Sequence, residues 1–170
     1  MLGQAMPQVD YNLLTLAIGT GTLILLLVEL RSNHSWNQKR ASYELMNEMI
    51  TSGRLTGAME RLQTKFGWDL LAASENYADI TARLKPASSQ VKEVDQELVV
   101  IMRHLELLCI SISHGIVSER IAWAGFWGYF ERIYASALPY IEKERARRQN
   151  QEIYRHFEYY ALKWRTRPLA

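Results

Sequence analysis

The sequence predicts an all-α protein: one N-terminal transmembrane helix, then an antiparallel helical bundle whose last helix bends near Pro139. Three observations predict it. Residues 11–28 contain no charged side chain, and Asp10, Glu29 and Arg31 flank them. No tract of alternating Val, Ile and Thr between turn residues argues for a sheet, whereas apolar residues recur at helical spacing from residue 45 onward. Only four prolines occur, Pro7, Pro86, Pro139 and Pro168, and no Gly- or Ser-rich linker or internal repeat interrupts the chain.

Eighteen uncharged residues rise roughly 27 Å as a helix, close to the roughly 30 Å hydrocarbon layer of a bilayer. A buried core helix of that length would carry polar positions at helical spacing. A cleaved signal peptide would need a basic start and a small-x-small site, and neither is present: the first 30 residues hold no Lys or Arg, and the run ends in Glu29-Leu30-Arg31-Ser32-Asn33. Arg31, Lys39 and Arg40 follow the span, which by the positive-inside rule leaves the N-terminus outside. The expected layout is an extracytoplasmic segment at 1–10, a transmembrane helix at 11–30 and a cytosolic helical domain at 31–170, in the bacterial inner membrane as a single-pass protein. Within the span, Thr15 with Gly19 and Ala17 with Gly21 are small residues four apart, a pattern that permits close helix pairing.

The remaining elements follow in order. The first cytosolic helix is expected at 36–51, with Leu45, Met46, Met49 and Ile50 as its stripe and Gly53 as its stop. A second spans 55–66 and stops at Gly67. A third spans 69–84 and closes at Lys85-Pro86, because the residue before proline avoids helical geometry. Ser88 or Ser89 caps a long helix to Ser113, acidic near its start and apolar on nearly every face over 98–112, which places it at the centre of the domain. Gly115 stops it and Ser118 caps the next. The final helical region, 119–164, is expected to bend at Pro139, where an internal hydrogen bond is lost.

From Arg31 onward there are 20 basic and 16 acidic residues, a net charge of +4. That balance is too mild to argue for nucleic acid and suits anionic lipid. The basic series after Lys143 is interspersed with Glu142, Glu144, Glu152 and Glu158, as on a solvated helix face. The single cysteine, Cys109, permits no intramolecular disulfide and sits among Leu107, Leu108, Ile110 and Ile112, as a small apolar side chain would. His34, His104, His114 and His156 form no short metal pair, and one thiol cannot build a multi-cysteine zinc site, so neither metal nor cofactor is expected. Phosphate-loop, dinucleotide and nucleophile-elbow patterns are missing.

Two constellations stand out. Trp123, Trp127, Phe130 and Tyr134 recur at spacings of four, three and four, forming a core seam against the 98–112 helix or the lining of a pocket. Glu106 lies in the apolar half of its helix, where a carboxylate needs a partner. Arg103, three residues earlier, and Arg145, across helices, are the ion-pair candidates; a proton-transfer or metal-ligand role and a solvent-facing Glu are the alternatives.

The order Leu105-Glu106, Gly115-Ile116, Pro139-Tyr140-Ile141, Arg145, Tyr154, Phe157-Glu158, Trp164 resembles a bacterial family of short single-pass membrane proteins with a cytosolic helical domain of unknown function. The resemblance covers residues 98–164 and the anchor layout. Many members carry Asn shortly before the Glu, where this chain has Arg103 and His104. It implies fold and topology and brings no catalytic residue. The expected function is a membrane-anchored helical interaction module, a sensor, regulator or scaffold, with the bilayer, a second copy or another protein as partner. A membrane-disrupting defence or toxin effector and an enzyme using Glu106 with Arg103 and Arg145 are the alternatives.

Overall fold

The structure, a computed structural model, describes residues 11–51, 53–72, 74–84 and 89–166, with the side chains of residues 11–21, Met46 and Ile50 outside the described set. Every regular element among the described residues is helical: α1 (Tyr11–Thr51), α2 (Arg54–Phe66), α3 (Tyr77–Arg83), α4 (Ser89–Ser113), α5 (Glu119–Arg148) and α6 (Arg155–Arg165). The chain divides into two units, one ending at Asn37 and one beginning at Gln38.

The first unit overturns the expected transmembrane helix. Among the described residues no helix is long and apolar enough to cross a membrane. Helix α1 runs for 41 residues without a break. Its described side chains stay uncharged only from Thr22 to Val28, roughly 10 Å of helix and about a third of a hydrocarbon layer, before Glu29, Arg31 and His34 enter. Leu23 to Val28 and Leu30 are each more than half exposed. The single-pass inner-membrane location and its orientation fall with the span. The small-residue pairs Thr15–Gly19 and Ala17–Gly21 lie outside the described side chains.

The second unit is built around α4. Its buried residues, Val94, Leu98, Ile101, Met102, Leu105, Leu108, Cys109 and Ile112, follow the helical period and face three neighbours, α2, α5 and α6. Helix α2 buries Leu55, Ala58 and Leu62 against it. That helix ends where Gly67 takes a left-handed φ of 65° and the Trp68 amide reaches back to the Leu62 carbonyl at 3.1 Å, with the Trp68 ring fully buried beyond the turn. On the solvent side Arg61 holds Glu97 with two bonds of 2.7 and 2.8 Å, and Lys65 pairs with Glu93.

Helix α3 is shorter than the spacing predicts, because Asn76 starts it late. The Asn76 side chain accepts the amides of Ala78 and Asp79, and Asp79 accepts the Asn76 amide in return, a capping box. The largest difference lies at the C-terminus. Pro139 sits inside α5, which continues past it. The break comes ten residues later, at Gln149 (φ 51°), and a second left-handed residue, Tyr154 (φ 58°), opens α6. The chain therefore forms two helices that pack on each other where a single bent one was expected.

One tether joins the start of this unit to its middle. Gln38 donates to the Gly115 carbonyl, and the fully buried Ser42 hydroxyl accepts the Ser118 amide at 2.9 Å while donating to Gln38 in its own helix. Gly115 itself has a φ of 69°, open to glycine and strained for other residues.

Candidate functional site

Most charged clusters of the second unit are satisfied internally. Lys143 and the Tyr77 hydroxyl both donate to Asp95, binding α3, α4 and α5 together, and the Lys143 ammonium lies 5.0 Å from the Tyr77 ring centre. Burial, ahead of the opposing Lys143 bond, raises the Tyr77 pKa. Glu144, 5% exposed, accepts from Arg147 and Arg148, and the Arg147 bond above all holds its carboxyl below the usual range.

Glu106 meets neither Arg103 nor Arg145. Its carboxylate closes the start of α6: one oxygen accepts the Phe157 amide at 2.8 Å, the other the His156 amide at 3.3 Å and the His156 ring Nδ1 at 2.9 Å. The N-cap residue Tyr154 supplies no side-chain bond of its own, so Glu106, 50 positions before His156, performs that role. Arg103 is exposed. Arg145 turns to Glu158 at 2.7 Å and to the Ile153 carbonyl at 2.9 Å. That guanidinium lowers the Glu158 pKa. Of the three residues proposed for chemistry, Glu106 and Arg145 therefore brace the α5–α6 corner, and the Glu106 oxygens are occupied.

The aromatic series divides as well. Phe130 is fully buried, but its partners are on α6: Phe157 at 5.2 Å and Trp164 at 4.5 Å between ring centres. Tyr134 packs on Phe157 and donates to Glu158 at 2.8 Å; burial first, then that carboxylate, pushes its hydroxyl up to about 12. Trp123 stacks on Trp127 at 6.2 Å, and Trp127 is 42% exposed. The ring contacts of Phe130 and Tyr134 run to α6, where a seam against α4 was expected. Cys109 is fully buried, and burial pushes its thiol pKa up, which suits packing and not nucleophilic work.

A cleft of about 460 Å³, lined by Leu45, Glu48, Met49, Arg54, His104 and Leu107, has a different character. Three elements build it. Leu45, Glu48 and Met49 share one face of α1 by their three- and four-residue spacing. Gly53, at φ 67°, turns the chain so that Arg54 is the first residue of α2. His104 and Leu107, three apart, come from α4. Met49 is buried, and Leu107 is 55% exposed at the rim. The His104 Nδ1 lies 2.7 Å from the Val100 carbonyl. A carbonyl only accepts, so Nδ1 donates to it, and Nε2 is the ring nitrogen without a bond among the described residues. Glu48 and Arg54 have no ion-pair partner among the described residues, and neither pairs with the other. Sequence spacing flagged Leu45 and Met49 as a packing stripe and His104 as a histidine without a metal partner. No linear signal joined them to Glu48 and Arg54, since the cleft exists only once α1, α2 and α4 meet.

A family model described as Domain of unknown function (DUF4760) matches residues 16–164. No curated protein and no solved structure matches the chain.

Proposed function

We propose that this chain, which belongs to the family described as Domain of unknown function (DUF4760), is a non-catalytic helical interaction module that recognises its target through the cleft of Glu48, Arg54 and His104. The observation that carries the reading is the pair of opposite charges without internal partners over an apolar floor. Charges elsewhere in the unit, at Asp95, Glu106 and Glu158, are spent on holding helices together, and Glu144 pairs within α5. Concave apolar volumes of roughly 300–1,000 Å³ with a few convergent polar groups are the usual form of ligand sites. Among sensor, regulator and scaffold, the volume favours a sensor, because a scaffold would present a flat face.

A photo-crosslinking residue in place of Leu107, 55% exposed in the cleft, tests this against a control in place of Leu162, 45% exposed on α6. The expected result in living cells is an adduct at position 107 that disappears when Glu48→Gln and Arg54→Met are combined. No adduct at 107, or equal adducts at both positions regardless of Glu48 and Arg54, overturns it.

A further inference from the structure

Taking the cleft as the recognition surface, we infer that its ligand is a small zwitterion with an apolar body: a free aliphatic or aromatic α-amino acid, or a dipeptide of such residues. The argument is one of charge balance. A ligand with a single charge would satisfy either Glu48 or Arg54 and leave the other facing it. A neutral apolar ligand would leave both charges unanswered. A molecule carrying an ammonium and a carboxylate answers both at once. Leu45, Met49 and Leu107 supply apolar surface for its body. His104, its Nδ1 engaged with Val100, adds a polar edge to the same lining. The cleft's volume, about 460 Å³, accommodates either length of ligand. Glu48 and Arg54 are both exposed, so their attraction is screened, and binding is weak and salt-sensitive.

Calorimetric titration of the full chain tests this with four probes: L-leucine, L-leucyl-L-leucine, N-acetyl-L-leucine and L-leucinamide. The first two carry both charges and distinguish the single residue from the dipeptide; the last two lack one charge each. At least one zwitterion is expected to bind with a Kd on the order of 1 mM or tighter, with the blocked forms roughly tenfold weaker or worse. Glu48→Gln and Arg54→Met should each weaken it by about tenfold while leaving thermal unfolding unchanged, and added salt should weaken it further. Absence of binding by both zwitterions at about 10 mM, equal binding of the blocked forms, or wild-type binding by both variants overturns the inference. If the zwitterions fail while the Leu107 adduct still depends on Glu48 and Arg54, the ligand class is wrong and the cleft reading stands. If that adduct is also indifferent to them, both fall.

Discussion

Replacing Glu106 removes the only side-chain acceptor at the start of α6 among the described residues. The Phe157 amide sits 2.8 Å from the carboxylate on a fully buried residue, so no water takes over when the oxygen is lost. A hydrogen bond to a charged group contributes about 1.5–3 kcal/mol, and a negative charge at a helix N-terminus about 0.3–1 kcal/mol more. The longer His156 contact, 3.3 Å, adds little. Glu106→Gln keeps one acceptor oxygen and loses the charge, and should destabilise by about 1–2 kcal/mol. Glu106→Ala leaves the amide buried and unmade, for about 3 kcal/mol, or roughly 6–12 °C in Tm at this chain length. Urea denaturation measures the loss, and native-state hydrogen exchange locates it: protection should fall first in α6. Double-mutant cycles identify the partner. Glu106→Gln with Arg145→Met should be additive within about 0.5 kcal/mol, whereas Arg145→Met with Glu158→Gln should couple by about 1 kcal/mol. A Glu106→Gln variant as stable as the parent, or strong coupling between Glu106 and Arg145, would refute the capping argument.

Two more outcomes are expected. Cys109, fully buried with its thiol pKa raised, should label with a thiol reagent on the order of a thousandfold more slowly in the native state than in urea, and fast native labelling would contradict the packing of α4. Glu144 and Glu158 titrate below the ordinary carboxylate range when folded, so the unfolded chain takes up protons first as the medium acidifies. Their contribution is complete above about pH 5 and fades as the pH falls through the lowered folded values, so Glu158→Gln should flatten the acid limb of a pH–stability curve, and an unchanged slope would dismiss the Arg145–Glu158 pair as its source.

Helices α2 and α4 were readable because their signals are local. Apolar spacing marks their buried faces, and Gly53, Gly67 and Gly115 bound them in the left-handed conformation that glycine adopts freely. The turn between α5 and α6 was not readable, since its left-handed residues are Gln149 and Tyr154, neither of which announces that geometry. Pro139 drew attention instead, yet α5 accommodates it. The demand for a partner at Glu106 is visible in one dimension. That the partner is a pair of amides is not, because those amides belong to a helix start created by the hidden turn. The apolar run at residues 11–28, judged alone, reads as a membrane span; among the described residues its helix continues into a charged stretch. The cleft was the least legible feature, assembled from one face of α1, the first residue of α2 and two positions of α4.

The bonds from Gln38 to Gly115 and from Ser118 to Ser42 bridge 77 and 76 positions of sequence. On a ribosome adding about 5–20 residues per second, the later half of each contact emerges roughly 4–15 s after the earlier one. For that interval the Ser42 hydroxyl waits with its distant donor still unmade. Docking of this stretch of α1 is thus a late event in biosynthesis, and a nascent chain stalled before residue 115 would carry it undocked, available to chaperones.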